Sequence, residues 1–141
     1  MDATYDGDVV RAGRSAREQF HDARGYGRPV DGDVHLDPVE AAHLLFRGDL
    51  DTVVDDRPDV AGERLGFRAF LTSAAVSEVD FFVYKDLRDR GFYLSPTRDD
   101  ASGDFVVYPR GKGPWDGAVA YRVRAVGERA AVTADDLVAL A

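Results

Sequence analysis

The spacing of apolar residues alternates between helical and extended patterns along the chain. Three stretches open with a capping residue followed three positions later by an acid able to reach back to a helix start. Ser15 with Glu18 predicts a first helix running through Phe20 to a stop at Gly25. Asp37, Pro38 and Glu40 predict a second, which carries Ala41, Ala42, Leu44 and Leu45 and ends at Gly48. Ser77 with Asp80 predicts a third, burying some of Val79, Phe82, Val83 and Leu87 before Gly91 stops it. A helix with weaker end signals is expected over residues 67–75, with Phe67, Phe70 and Leu71 on one face. A fourth opening, Thr133 to Asp136, leads into the apolar Leu137, Val138, Ala139 and Leu140. So short a helix is marginal without tertiary support, so it either docks on its own domain or has lost what normally follows it.

Strand patterns fill the intervals: Val9 and Val10 after Asp6-Gly7, Val34 to Leu36 after Asp31-Gly32, Phe92 to Leu94, Phe105 to Tyr108, and residues 118–126. In the last, Val119, Tyr121, Val123 and Ala125 alternate with Ala120, Arg122, Arg124 and Val126, as in a strand packed on one face. Residues 55–59 and 109–114 read as exposed loops. The pattern predicts an α+β protein.

Composition narrows the function classes. At 141 residues with 45% hydrophobic content the chain suits one ordinary domain or two small ones. No apolar run approaches the roughly 20 residues that span a bilayer, and the start lacks a signal-peptide pattern, which predicts a cytoplasmic protein. There are no cysteines, and His21, His35 and His43 are scattered, so no metal site or other cofactor is expected. The histidines read as structural.

A net charge of −8 argues at face value against nucleic-acid binding. The kind of charge alters that reading. The acids are 21 Asp and 5 Glu, and the bases 16 Arg and 2 Lys. Short carboxylates in excess with little Lys resemble the proteins of halophilic archaea, where charges are screened within about 3 Å at 1 M salt. Acidity is then weak evidence against an RNA partner, although an acidic protein-interaction module stands as the alternative.

The most specific motif is Val83-Tyr84-Lys85-Asp86-Leu87-Arg88-Asp89-Arg90-Gly91-Phe92, followed by Gly103-Asp104-Phe105-Val106-Val107-Tyr108. It resembles the signature of the archaeal tRNA-splicing (tRNA-intron) endonucleases. Gly7-Asp8-Val9-Val10, Gly25-Tyr26-Gly27-Arg28-Pro29 and the stretch from Pro38 to Leu50 resemble that family's N-terminal domain in order and spacing. The resemblance implies a small N-terminal domain of mixed helix and strand over residues 1–76, a nuclease-like second domain of the restriction-endonuclease type with a mixed sheet over residues 77–141, and a metal-independent RNA cleavage giving a 2′,3′-cyclic phosphate and a 5′-hydroxyl. In that chemistry a Tyr acts as general base, a His protonates the leaving oxygen and a Lys stabilises the charged transition state.

Carried over residue by residue, the resemblance implies a chain without that triad. Phe92 stands at the Tyr position and Asp104 at the His position, and a carboxylate at Asp104 is ionised at neutral pH. Tyr93 becomes the base only if the register slips by one residue, which turns a strand side chain to the opposite face. Lys85 and Lys112 fall at the wrong motif positions. Since the family alternates active and supporting units in its oligomers, the resemblance implies a structural unit. Its partners are a catalytic unit and, through the assembly, the bulge-helix-bulge motif of precursor tRNA. The fused N-terminal repeat of a two-repeat enzyme is the preferred form and a free-standing subunit the next. In the family a loop between the late strands docks on a neighbouring unit, and here that loop offers Trp115 and Asp116 as interface candidates. Arg110, Lys112, Arg122 and Arg124 are the candidates for RNA contact, with pairing to nearby Asp residues as the alternative.

Overall fold

The computed structural model describes residues 2–60, 62–96, 105–108, 121–123 and 138–139, with backbone alone for 2, 121–123 and 138–139. The chain divides into two compact units, Met1–Ser77 and Glu78–Ala141.

In the first unit, β1 (Asp2–Tyr5) and β2 (Val10–Ala12) are joined by a turn in which the Asp6 carboxylate accepts the N–H groups of Asp8 and Val9, both at 2.9 Å. A short α1 (Arg14–Ala16) continues as a π-helical turn over Arg17–Asp22. Then come the hairpin of β3 (Arg28–Val30) and β4 (Asp33–Leu36), α2 (Pro38–Arg47), β5 (Thr52–Asp55), β6 (Glu63–Leu65) and α3 (Phe67–Ser73). The six strands form one sheet in the order β3-β4-β2-β1-β5-β6. β1 and β5 run parallel, and the other pairs are antiparallel.

Alternation decides which face is buried. Ala3, Tyr5, Val10, Ala12, Val34, Leu36, Val53 and Leu65 all point inward and are almost wholly removed from water. Phe20, Leu44 and Phe70 are likewise buried, and Tyr5 meets Phe70 edge to face at 5.5 Å. Each fully buried large side chain of this kind contributes roughly 1.5–3 kcal/mol of transfer free energy. The inward set therefore fixes the register, because a slip of one residue would turn all of it to solvent.

The second helix forms as its sequence predicts. The N–H of Asp37 donates to Glu40 Oε1 at 2.9 Å to close the capping box, Pro38 opens the first turn, and Gly48 ends the helix in the left-handed region. The first helix differs. It starts at Arg14, capped by the extended backbone of Gly13, so Ser15 lies inside the first turn and does not cap. Four strands escaped the sequence reading, β1, β3, β5 and β6, each of only three or four residues. Asp55, read as part of an exposed loop, closes β5 and is 1% exposed.

In the second unit α4 (Glu78–Asp89) precedes β7 (Leu94–Pro96), β8 (Phe105–Val107), β9 (Tyr121–Val123) and β10 (Val138–Ala139). The sheet order is β10-β9-β8-β7, and these described strands all pair antiparallel. Among the described strands, the mixed sheet is that of the first unit. Three expectations are corrected. α4 buries Phe81 and Tyr84, while Phe82 is 62% exposed, so its apolar face is rotated from the predicted one. The strand after Gly91 begins at Leu94, leaving Phe92 and Tyr93 in the connection. Val138 and Ala139, expected in a terminal helix, pair with Val123 and Arg122 as a strand. Periodicity alone cannot separate a strand from a helix in so short an apolar run, and the sheet edge at β9 supplies the hydrogen bonds that a two-turn helix would lack.

Candidate functional site

The motif-bearing segment of the second unit is organised around Tyr84. Its ring is fully buried against Phe105, with centroids 5.7 Å apart, and its hydroxyl accepts a hydrogen bond from Arg88 Nε at 3.2 Å. The Arg88 guanidinium lies over two rings, 5.5 Å from Tyr84 and 5.6 Å from Tyr93. The remaining motif charges are satisfied along the helix: Lys85 Nζ reaches Asp89 at 2.6 Å, and Arg90 Nε reaches Asp86 at 3.0 Å. Lys85 is therefore engaged in its own helix.

The chain leaves α4 through Gly91, and the Phe92 N–H donates back to the Leu87 carbonyl at 3.1 Å. The Tyr93 carbonyl accepts the Tyr108 N–H at 2.9 Å, and the Ser95 and Tyr108 hydroxyls are 3.1 Å apart. Phe92 and Tyr93 are both half-buried, whereas Leu94, Phe105 and Val107 are buried. Phe92 is thus not the core strand residue that the sequence predicts; Leu94 takes that place. Chemically, Phe92 presents a ring with no exchangeable proton. Asp104, Arg110, Lys112, Trp115, Asp116 and Arg124 lie outside the described residues. For Arg122 the backbone is fixed, opposite Val106 in β8 and Ala139 in β10.

The first unit holds a buried polar cluster that the sequence reading did not anticipate. Glu40, 3% exposed, accepts the Asp37 N–H on one oxygen and the Gly27 N–H on the other, at 2.9 and 2.6 Å. One carboxylate so caps α2 and pins the turn into β3. Beside it the Tyr26 hydroxyl meets His43 Nδ1 at 2.9 Å, and His21 Nδ1 lies 3.1 and 3.2 Å from the carbonyls of Tyr26 and Gly27. His21 and His43 are therefore buried and hydrogen-bonded, while His35 is half-buried on the other face of the sheet. The signal for this cluster was present in Gly25-Tyr26-Gly27: two glycines in the left-handed region flank a buried tyrosine.

Three carboxylates are held below their usual pKa. For Asp55 the cause is its two-pronged hydrogen bond from Arg57, whose Nη2 lies 2.7 Å away while its guanidinium covers the Tyr5 ring at 5.2 Å. Burial would raise Asp49, but hydrogen bonds from Arg24 and Arg47 at 2.9 and 3.0 Å overcome it. Burial likewise opposes the N–H groups of Val9 and Asp8, which hold Asp6 low. These are structural anchors. Among the described residues no group of three or more His, Cys, Asp or Glu side chains is placed to hold a metal ion, and no helix is long and apolar enough to cross a membrane.

Residues 1–71, half of the chain and nearly all of its first unit, match the profile of the tRNA intron endonuclease N-terminal domain. The chain belongs to the tRNA intron endonuclease family. Relatives named tRNA-splicing endonuclease are similar over nearly the whole chain. That of Haloarcula marismortui is 62% identical over 97% of the chain and 40% of its own length. That of Haloferax volcanii is 50% identical over 97% and 40%. That of Methanosarcina mazei is 39% identical over 87% of the chain and 33% of its own length. The chain thus spans about two fifths of the length of the curated haloarchaeal relatives. Haloarchaeal kinship accords with the Asp-rich, Lys-poor composition.

Proposed function

We propose that this chain is a non-catalytic, structural unit of a tRNA-splicing endonuclease, positioning a catalytic unit that excises introns from precursor tRNA in the cytoplasm. In this reading residues 1–76 are the family's N-terminal-like domain, and residues 77–141 are a degenerate relative of its catalytic domain. The observation that carries it is Phe92, which follows the Arg90-Gly91 anchor with a half-buried ring where the family's general base stands. A phenyl ring cannot take the proton of a 2′-hydroxyl, and Asp104 at the acid position offers a negative charge to a phosphate. The proton transfers then belong to a partner unit, which the loop residues Trp115 and Asp116 help to hold. Arg110, Lys112, Arg122 and Arg124 contribute contacts to RNA in the assembly.

Purified chain incubated with a bulge-helix-bulge RNA should give no specific cleavage, since loss of one positioned proton-transfer group typically lowers the rate about 10²- to 10⁴-fold. A chain carrying the full triad should co-purify with it and cleave faster in its presence. Full activity of that catalytic chain alone would overturn the structural role. Cleavage by the isolated chain that vanishes in Tyr93→Phe would instead make Tyr93 the base.

A further inference from the structure

The strand register lines up one row of side chains across the outer face of the first unit's sheet. Arg28 in β3 stands opposite His35 in β4, His35 opposite Arg11 in β2, and Arg11 opposite Thr4 in β1. Thr4 in turn stands opposite Val54 in β5, and Val54 opposite Arg64 in β6. Because paired residues share a face, these six side chains point away from the core, and the three arginines are exposed. Two arginines, Arg28 and Arg11, flank His35 across neighbouring strands, with Asp6 3.7 Å from Arg11 as a compensating carboxylate. Their chain carries a net charge of −8, so this clustering runs against the composition.

The row also borders a depression. An open concavity of about 540 Å³ is lined by Thr4, Arg11, Gly13, Asp33, Val54 and Asp56, among others. Asp33 and Asp56, which line the same concavity as Arg11, stand beside the row and not in it. Asp6 reaches Arg11 at 3.7 Å and leaves that side chain 47% exposed, and Arg64 Nη1 touches the Thr52 hydroxyl at 3.5 Å. At about 4.8 Å per strand the row from Arg28 to Arg64 extends roughly 24 Å, long enough to follow a polyanion rather than a single ion.

We infer that this row is a docking surface for the phosphodiester backbone of RNA. It rests on the reading that the chain serves an RNA-cleaving assembly, and it places RNA contact on the first unit in addition to the second. The guanidinium forks of Arg28, Arg11 and Arg64, two and three strands apart, donate to separate, non-adjacent phosphates, while Thr4 and Val54 leave room for the RNA to approach the sheet. Backbone contact of this kind carries no sequence preference. In concentrated salt, where screening acts within about 3 Å, direct forked hydrogen bonds to phosphate are the part of such an interaction that persists.

The test is direct binding of a fluorescent bulge-helix-bulge RNA by the whole chain across a KCl titration, confined to the range in which circular dichroism shows it folded. Arg28→Gln and Arg11→Gln should each weaken binding at every RNA sequence and lower the slope of log K against log salt by about 1. Arg68→Gln, an exposed arginine on α3, is the control and should change neither. Unchanged slopes in both row variants would overturn the inference. So would loss of association with the catalytic chain while RNA binding persists, since the face would then be a protein interface. Failure of the wild-type chain to bind RNA while it still activates the catalytic chain would overturn this inference alone and leave the structural role standing.

Discussion

Replacing Gly27 by Ala should destabilise the first unit more than the same change at Gly7, Gly13, Gly32, Gly48, Gly62 or Gly66. Gly27 sits at φ +67°, a region that costs an L-residue roughly 1–2 kcal/mol. A Cβ there would also lie 2.6 Å from the His35 carbonyl oxygen, 2.8 Å from Val34 Cγ2 and 2.9 Å from Leu36 Cδ2. The first of these is backbone in β4, bonded into β2 on one side and β3 on the other, so it cannot swing aside. Overpacking of this kind adds about 1–3 kcal/mol, and the displaced turn also strains the 2.6 Å bond from the Gly27 N–H to Glu40. The combined loss is about 2–5 kcal/mol out of the 5–15 kcal/mol typical of a whole domain. Gly32→Ala separates the two causes. Its φ is +89° with nothing within 4 Å of the added carbon, so it should lose only the conformational part, about 1–2 kcal/mol. Thermal unfolding followed by circular dichroism in molar KCl reads both, and Gly27→Ala should melt about 8 °C or more below wild type. Equal losses in the two variants would refute the steric argument.

Glu40→Gln keeps the size of the side chain but leaves one acceptor oxygen for the two N–H groups of Asp37 and Gly27; it should lose about 1–3 kcal/mol in urea unfolding. Asp55→Ala should cost about 1–2 kcal/mol at pH 7, because Arg57 loses its partner but is already one-third exposed. Since the folded pKa of Asp55 is depressed, its contribution is complete above the unfolded value near 3.9 and is lost as pH falls through the folded value. The variant should therefore show a shallower fall in melting temperature below about pH 4, and an identical acid limb would exclude that role. With a net charge of −8, the chain should melt at lower temperature as KCl is reduced to 0.01 M, where the Debye length reaches about 30 Å. An unchanged melting temperature would show that self-repulsion is unimportant.

The parts of this fold that were legible in the sequence are those whose signals are local. Asp37, Pro38, Glu40 and Gly48 delimit α2 because capping acts within one turn. β1, β5 and β6 gave no such signal: each is three or four residues long and carries few alternations, and what makes them strands is pairing, of β1 with the distant β5 and of β5 with β6. Asp55 shows the limit well, since its setting among Asp and Pro resembles a loop and only the Arg57 fork and the Tyr5 ring make burial tolerable. The cationic row was hidden for the same reason. Its members lie on six strands, and only the register brings them together. On α4 the charges were readable, but its buried face was not, because Val79, Phe82 and Val83 compete with Phe81 and Tyr84 for the same helical phase until Phe105 selects Tyr84.

On the reading proposed above, the exit from α4 keeps its backbone path with Phe in place of the family's general base. Phe92 follows the Arg90-Gly91 anchor, and neither it nor Tyr93 is in a strand. Their places are set instead by two backbone hydrogen bonds of different origin. The Phe92 N–H is tied to the end of the helix through Leu87, and the Tyr93 carbonyl is tied to the sheet side through Tyr108. Both bonds are indifferent to the side chain, so an exchange of Tyr for Phe at either position leaves the backbone path intact. The Arg88 contact with Tyr93 is equally indifferent to the hydroxyl, because the guanidinium lies over the ring. A Tyr-to-Phe exchange removes only the phenolic oxygen, and that oxygen takes no part in these backbone bonds or in the ring contact. A supporting unit of the kind proposed would lack that oxygen at Phe92 with both backbone hydrogen bonds still in place.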